Sequence, residues 1–319
     1  MPIIRNDNYQ RPKWLFNRHL ETIYPAIFRK VELQKPIRER IKTFDDDFLD
    51  LDWYRQGSSK LVIVNHGLEG NSSRAYILGM AKIFLQNGFD VLTWNYRGCG
   101  DELNQKPIFY HSGATYDLNQ VVSHSSNDYD EIFLIGFSLG GNLVLKYIGE
   151  KGLETEKIKK AVAISVPLHL SSASAQISSL ENTLYSKRFL KTLKEKVIQK
   201  AQSHPNEIPL EMLHQIKTLA DFDDYLTGPL HGFSDAKEYY EVNSSLYFLD
   251  KIKIPTLVLN ALNDPFLSKA CYPYEMAEKL DQVYFEFPEK GGHVGFTSKK
   301  STIPYYSEQR AVEFISRDI

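Results

Sequence analysis

Several features are scarce in this sequence of 319 residues, and each scarcity removes a class of protein. Only two cysteines occur, Cys99 and Cys271, far apart and without C-x-x-C spacing. That makes neither a disulfide framework nor a zinc site the default reading, so both are expected as reduced thiols of a cytoplasmic protein. No stretch of 18 or more apolar residues appears, and the opening MPIIRNDNYQRPKWLFN has neither an apolar core nor a small-residue cleavage site. Neither a transmembrane segment nor secretion is therefore expected. The formal net charge of −2 hides no long block of one sign, so nothing suggests a nucleic-acid footprint. Repeats at solenoid or propeller periods and low-complexity tracts are absent. So are the phosphate-cradling G-x-x-x-x-G-K-[ST], the zinc-binding H-E-x-x-H, and a G-x-G-x-x-G that opens a helix after a strand. The sequence implies no cofactor and no metal.

What is present is an ordinary globular composition, 42% hydrophobic and 24% charged, enough for one large α/β domain. From about residue 60, short β-branched runs alternate with helical patterns: LVIVN (61–65), FDVLTWNY (89–96), IFLIGF (132–137), IKKAVAIS (158–165), IPTLVLNA (254–261) and VYFEF (283–287). Upstream, RERIKTF and FLDLDWYR alternate like two antiparallel strands around an Asp-rich turn. The expectation is a single domain over residues 1–319, with a mostly parallel sheet of about eight strands flanked by helices. Between about 167 and 249 the rhythm breaks. SSLENTLYSKRFLKTLKEKVIQKAQ carries apolar residues at helical spacing, and LEMLHQIKTLADFDDYL reads as another helix or two. So long a stretch without a strand is read as a helical lid or cap insertion over the carboxyl ends of the strands, where ligands bind in open α/β sheets.

The chemistry centres on Gly136-Phe137-Ser138-Leu139-Gly140, a G-x-S-x-G at the end of an apolar strand and the start of a helix. In that context the turn holds the Ser138 oxygen exposed as a nucleophile, with the positive end of a helix beneath it. A serine hydroxyl needs a histidine base oriented by a carboxylate, and on such sheets the chain order is Ser, then Asp or Glu, then His. Asp264 stands at a strand end, where Pro265 disfavours helix. After it only one histidine remains, His293 in FPEKGGHVGF. An oxyanion hole is expected from the amides of Leu139 and of Leu68, the latter in His66-Gly67-Leu68-Glu69-Gly70 after the first buried strand; such donors are worth about 2.7–4 kcal/mol each.

Other polar residues are read more plainly. His111 and His124 precede the nucleophile and are taken as structural or solvated, His111 with the option of lining the pocket. His169, His204, His214 and His231 fall in the insertion and precede Asp264. Asp45-Asp46-Asp47 reads as a solvated hairpin turn, Asp223-Asp224 as a polar helix end, and Cys99 as a packed small residue.

With GFSLGG, HGLEG, NDP and GGHVGF in place, the chain resembles the α/β-hydrolases. It is most similar to the YheT-type family related to the eukaryotic ABHD1/ABHD3-like lipid hydrolases, through NRHLETIYPAIFRK, VNHGLEGNSSRAYI, NYRGCGDELN, FYHSGATYDL, GFSLGGNLVLKYIGE, DFDDYLTGPLHGFSDAKEYY and LNALNDPF. The resemblance spans nearly the whole chain. It implies an α/β-hydrolase fold and a serine hydrolase of carboxylic esters, small-molecule or lipid, with Ser138, Asp264 and His293 as its triad. Gly100 and Asp101 depart from the family, which commonly has serine and glycine there. Cleavage of an amide or peptide, acyl transfer to an acceptor other than water, and ligand binding without turnover remain open from the residues alone. The aromatic WLFNRHLETIYPAIF is expected to pack on the sheet, with peripheral membrane contact as the alternative, and the oligomeric state is not encoded in any pattern.

Overall fold

A computed structural model describes residues 3–5, 8–154, 156–208, 210–300 and 303–317. The strands, in chain order, are β1 (Ile3–Ile4), β2 (Ile37–Lys42), β3 (Phe48–Tyr54), β4 (Lys60–Asn65), β5 (Asp90–Asn95), β6 (Glu131–Phe137), β7 (Ile158–Ile164), β8 (Thr256–Leu259) and β9 (Val283–Glu286). They form one sheet in the order β1-β9-β8-β7-β6-β4-β5-β3-β2, parallel throughout except that β3 runs antiparallel to both β5 and β2. Eight of the nine coincide with the expected runs. The ninth, β1, pairs Ile3 and Ile4 with Phe285 and Glu286, and two residues are too short to carry a period.

Burial explains the continuous apolar runs. Leu61, Val62, Ile63 and Val64 are at most 1% exposed because helices cover both faces of the central strands. The helices are α1 (Arg18–Phe28), α2 (Ala75–Gln86), α3 (Thr115–Ser125), α4 (Leu139–Lys151), α5 (Leu170–Ile177), α6 (Thr183–Ala201), α7 (Leu219–Phe222), α8 (Gly228–Leu230), α9 (Ala236–Asn243), α10 (Tyr274–Ala277) and α11 (Tyr306–Ser316). Leu61 and Ile63 pack in one core layer with Leu118 of α3 and Leu143 of α4. Val62 and Val64 pack in the other with Ile77 of α2 and Ala311 of α11.

Between β7 and β8 the described residues are helical or irregular, α5 to α9, and a local apolar cluster that includes Leu193, Val197, Ile208, Ile216, Phe222 and Leu226 holds part of them together. The stretch LEMLHQIKTLADFDDYL is more broken than its periodicity suggests. A 3-10 turn at Leu210–His214 ends, Thr218 opens α7 with reciprocal caps to Asp221, and the chain then widens into a π-helical segment at Asp223–Thr227.

The Asp-rich turn between β2 and β3 is only partly solvated, contrary to expectation. Arg97, 1% exposed, draws it inward, with Nη1 2.7 Å from Asp45 and 3.3 Å from Asp47, and Nε and Nη2 each 2.8 Å from Asp117 of α3. Only Asp46 stays outside, in left-handed backbone. Asp47 also accepts from Asn104 and from the amides of Gln105 and Lys106, so one buried carboxylate folds the loop after β5 onto the hairpin. No described helix is long and apolar enough to cross a membrane, and no group of three or more described acidic, histidine or cysteine side chains is placed to hold a metal.

Candidate active site

The turn that carries Ser138 is set by close approach. A Cβ on Gly136 would lie 2.2 Å from the Gly140 carbonyl oxygen, and one on Gly140 would lie 2.4 Å from that of His66. Only hydrogens fit there, and the chain passes between β6 and α4 with Ser138 at φ 53°, ψ −119°. That conformation costs of order 1–3 kcal/mol and is held by the surrounding packing.

The three residues expected to work together come from three separate loops and meet. His293 Nε2 lies 3.0 Å from Ser138 Oγ, and His293 Nδ1 lies 2.8 Å from Asp264 Oδ2. With Nδ1–H directed at a carboxylate, Nε2 is left as the acceptor for the serine proton. The other oxygen of Asp264 accepts from the Phe266 amide at 2.8 Å, and its side chain is fully buried. The Phe266 ring lies 4.4 Å from the imidazole, centroid to centroid.

Leu68 and Leu139 both line the cavity with Ser138, and the amide of neither has a hydrogen-bond acceptor among the described residues. Leu139 is the first residue of α4, where a helix leaves its amides without an internal partner. The loop of Leu68 is held from beneath by His66, for which the sequence offered no role. His66 is completely buried, accepts from the Tyr96 amide at Nε2 (3.2 Å) and donates from Nδ1 to the Gly67 carbonyl (2.8 Å). Burial pushes its pKa down to about 3, so it stays a neutral strut. Tyr110 closes the same loop by accepting from the Glu69 amide and donating to Glu69 Oε1.

Helix α6 ties the segment between β7 and β8 to this loop. Lys196 Nζ lies 2.7 Å from Glu69 Oε1, and Lys200, 2% exposed, donates to Asn104 Oδ1 (2.8 Å) and to the Lys106 carbonyl (2.7 Å). Cys99 is packed beside Lys196, as expected, and burial raises its thiol to about 12.

The support of His293 is the part that the residues did not announce. Thr22 Oγ1 of α1 accepts from the His293 amide at 2.9 Å, and Glu21 Oε2 accepts from the Gly291 amide at 2.6 Å. Asn263 accepts from the Gly292 amide and donates to Glu21. Both α1 residues are buried, so this side of α1 forms the back wall of the site, whereas Trp14, Phe16, Ile27 and Phe28 of the same aromatic stretch are exposed rather than packed on the sheet as expected.

The cavity in front of Ser138 has a volume of about 120 Å³ and is mainly apolar, with Leu68, Leu139, Ile177, Val197, Phe222 and Leu226 among its walls. Asp223, at the end of α7 as expected, also lines it: its Oδ2 accepts from Tyr240 at 2.6 Å, and burial raises its pKa to about 6. His111 lines the cavity as allowed, and His231 joins it, their rings 4.3 Å apart. Burial pushes His231 down to about 4 and His111 down as well. The remaining histidines serve locally. His169 accepts from the Ser172 amide at the start of α5, His124 lies 3.0 Å from Glu39, His204 reaches the Gln105 carbonyl, and His214 is exposed.

Residues 60–300 match the family described as alpha/beta hydrolase fold. Over 290 residues the chain is 31% identical to YheT of Escherichia coli (strain K12), named as an esterase, covering 88% of this chain and 84% of that protein. It is 27% identical to the phospholipase ABHD3 of Homo sapiens, covering 92% and 75%. The solved Pyrococcus furiosus esterase Pf2001 superposes with a TM-score of 0.60 at 17% identity, over 90% of this chain and 95% of that one, a likeness of fold. The chain belongs to the alpha/beta hydrolase fold family, and within it to the YheT-type hydrolases related to ABHD3.

Proposed function

We propose that the chain is a serine hydrolase of carboxylic esters, with Ser138, His293 and Asp264 as its triad. The observation that carries this is the unbroken relay from Ser138 Oγ through both nitrogens of His293 to a buried Asp264, opening on an apolar cavity. Ser138 Oγ adds to the ester carbonyl carbon while His293 Nε2 takes its proton. The carbonyl oxygen becomes the oxyanion, and the amides of Leu68 and Leu139 stabilise it. As the tetrahedral centre collapses, the alkoxide leaves with the proton from His293, and an acyl-serine remains. His293 then takes a proton from water, whose oxygen adds to the acyl carbon. Collapse releases the acid, and the proton returns to Ser138. Asp264 keeps the imidazole in one tautomer and stabilises its cation throughout.

The apolar walls favour esters whose acyl or alcohol part is aliphatic, in keeping with the lipases and phospholipases among the relatives. The helical segment of about residues 167–249 acts as the lid that shapes this cavity, and the protein works in the cytoplasm. Ser138→Ala and His293→Ala are each expected to lower kcat for p-nitrophenyl acetate by about 10⁴-fold or more with an unchanged circular dichroism spectrum. Ser138 should also be the residue labelled by a fluorophosphonate. Turnover retained in Ser138→Ala would remove this mechanism.

A further inference from the structure

Around the outer side of α1 and the start of α6, large apolar side chains face solvent. Trp14, Phe16 and Leu20 are 53%, 73% and 39% exposed, and Leu180 and Leu184 are 96% and 81% exposed. Side-chain contacts join them into one face. Arg18 pairs with Glu181, the rings of His19 and Tyr185 stack at 5.8 Å, and Trp14 packs edge-on to Tyr24 at 4.4 Å. An exposed apolar patch of this kind marks an interaction site.

The fringe of the patch says what covers it. Lys13, Lys187, Arg188 and Lys290 are exposed around it, Lys187 and Arg188 one turn beyond Leu184. The nearby carboxylates offset little of this: Glu21 is 2% exposed, Glu181 is already paired with Arg18, and Glu289 stands beside Lys290. A second copy of the chain docking through the same face would set cations against cations. An anionic lipid surface complements both features, since it takes up apolar and aromatic side chains and attracts the basic rim. The patch also lies close to the chemistry. Tyr185 packs on Phe266 at 4.8 Å, Phe266 packs on His293 at 4.4 Å, and the inner side of α1 holds the loop of His293.

We propose that this face seats on an anionic phospholipid surface, which presents ester substrates to the cavity from the bilayer side. The delivery of substrate rests on the hydrolase reading above, whereas the seating does not.

The experiment is flotation of the full chain with equimolar phosphatidylcholine–phosphatidylglycerol vesicles and with pure phosphatidylcholine vesicles, followed by tryptophan fluorescence. Trp14 is the exposed one of the three tryptophans, since Trp53 and Trp94 are buried, so its emission reports on the patch. The expected results are binding to the anionic vesicles that weakens with salt, a blue shift absent from Trp14→Phe, and binding at least about tenfold weaker in the Phe16→Glu/Leu184→Glu variant. That variant should hydrolyse water-soluble p-nitrophenyl acetate at the wild-type rate. No binding to anionic vesicles, equal binding by the variant, or a dimer that the variant abolishes in the absence of lipid would overturn the proposal. None of these results depends on whether Ser138 is the nucleophile.

Discussion

Asp223 is an acid placed among apolar neighbours, and its environment sets a definite sign. Its carboxylate accepts from Tyr240, and no described cation pairs with it, so burial wins and the folded-state pKa stands near 6 against an ordinary 3.8. Between those values the folded chain holds a proton that the unfolded chain has lost. The contribution is therefore full below about pH 4 and is lost as pH rises through about 6, a difference of up to about 3 kcal/mol. His66, His111 and His231 have lowered values and give slopes of the opposite sign, so the whole-protein curve mixes the two. The difference between wild type and Asp223→Asn isolates the acid: urea unfolding should show the variant gaining stability relative to wild type as pH is raised from about 4 to about 7. A constant difference across that range would show that the carboxyl is solvated.

At the scale of elements, α1 positions rather than reacts. Thr22 Oγ1 accepts from the His293 amide and donates to the Arg18 carbonyl, so the hydroxyl bridges α1 and the loop of His293. Thr22→Val keeps the shape and removes both bonds. It is expected to lower kcat about tenfold with little change in KM, while Thr22→Ser restores the rate, because small misplacements of a base are costly. Equal loss in both variants would indicate packing alone. This support was not legible in the sequence. Ser138, Asp264 and His293 could be read because each follows an apolar strand run, but Glu21 and Thr22 sit about 270 residues before the loop that they hold, in a segment conspicuous only for its aromatics. The same logic divides the fold. β4 to β9 announce themselves as buried runs, whereas β1 is two residues long and LSSASAQI, which becomes α5, has too many small polar residues to show a helical stripe. The Arg97 cluster was misread because its acids come from the hairpin and from α3, and a local pattern of three aspartates gives no hint of a distant guanidinium.

For the whole molecule, that cluster joins the antiparallel edge of the sheet to the loop after β5 and to α3. Arg97→Met would leave Asp47 and Asp117 buried without a cation, and the expected cost is about 3–5 kcal/mol in chemical denaturation. Wild-type stability in that variant would mean that water replaces the guanidinium. The attachment of α6 has a different consequence. Its C-terminal half is bolted down by Lys196 and Lys200, and its N-terminal end is held by Asn182, which donates to the Pro265 carbonyl, and by Tyr185, which packs on Phe266. Such a rod is a beam fixed at both supports. It spans from the loop of Leu68 to the turn of Asp264, so a load on either end is felt at the other.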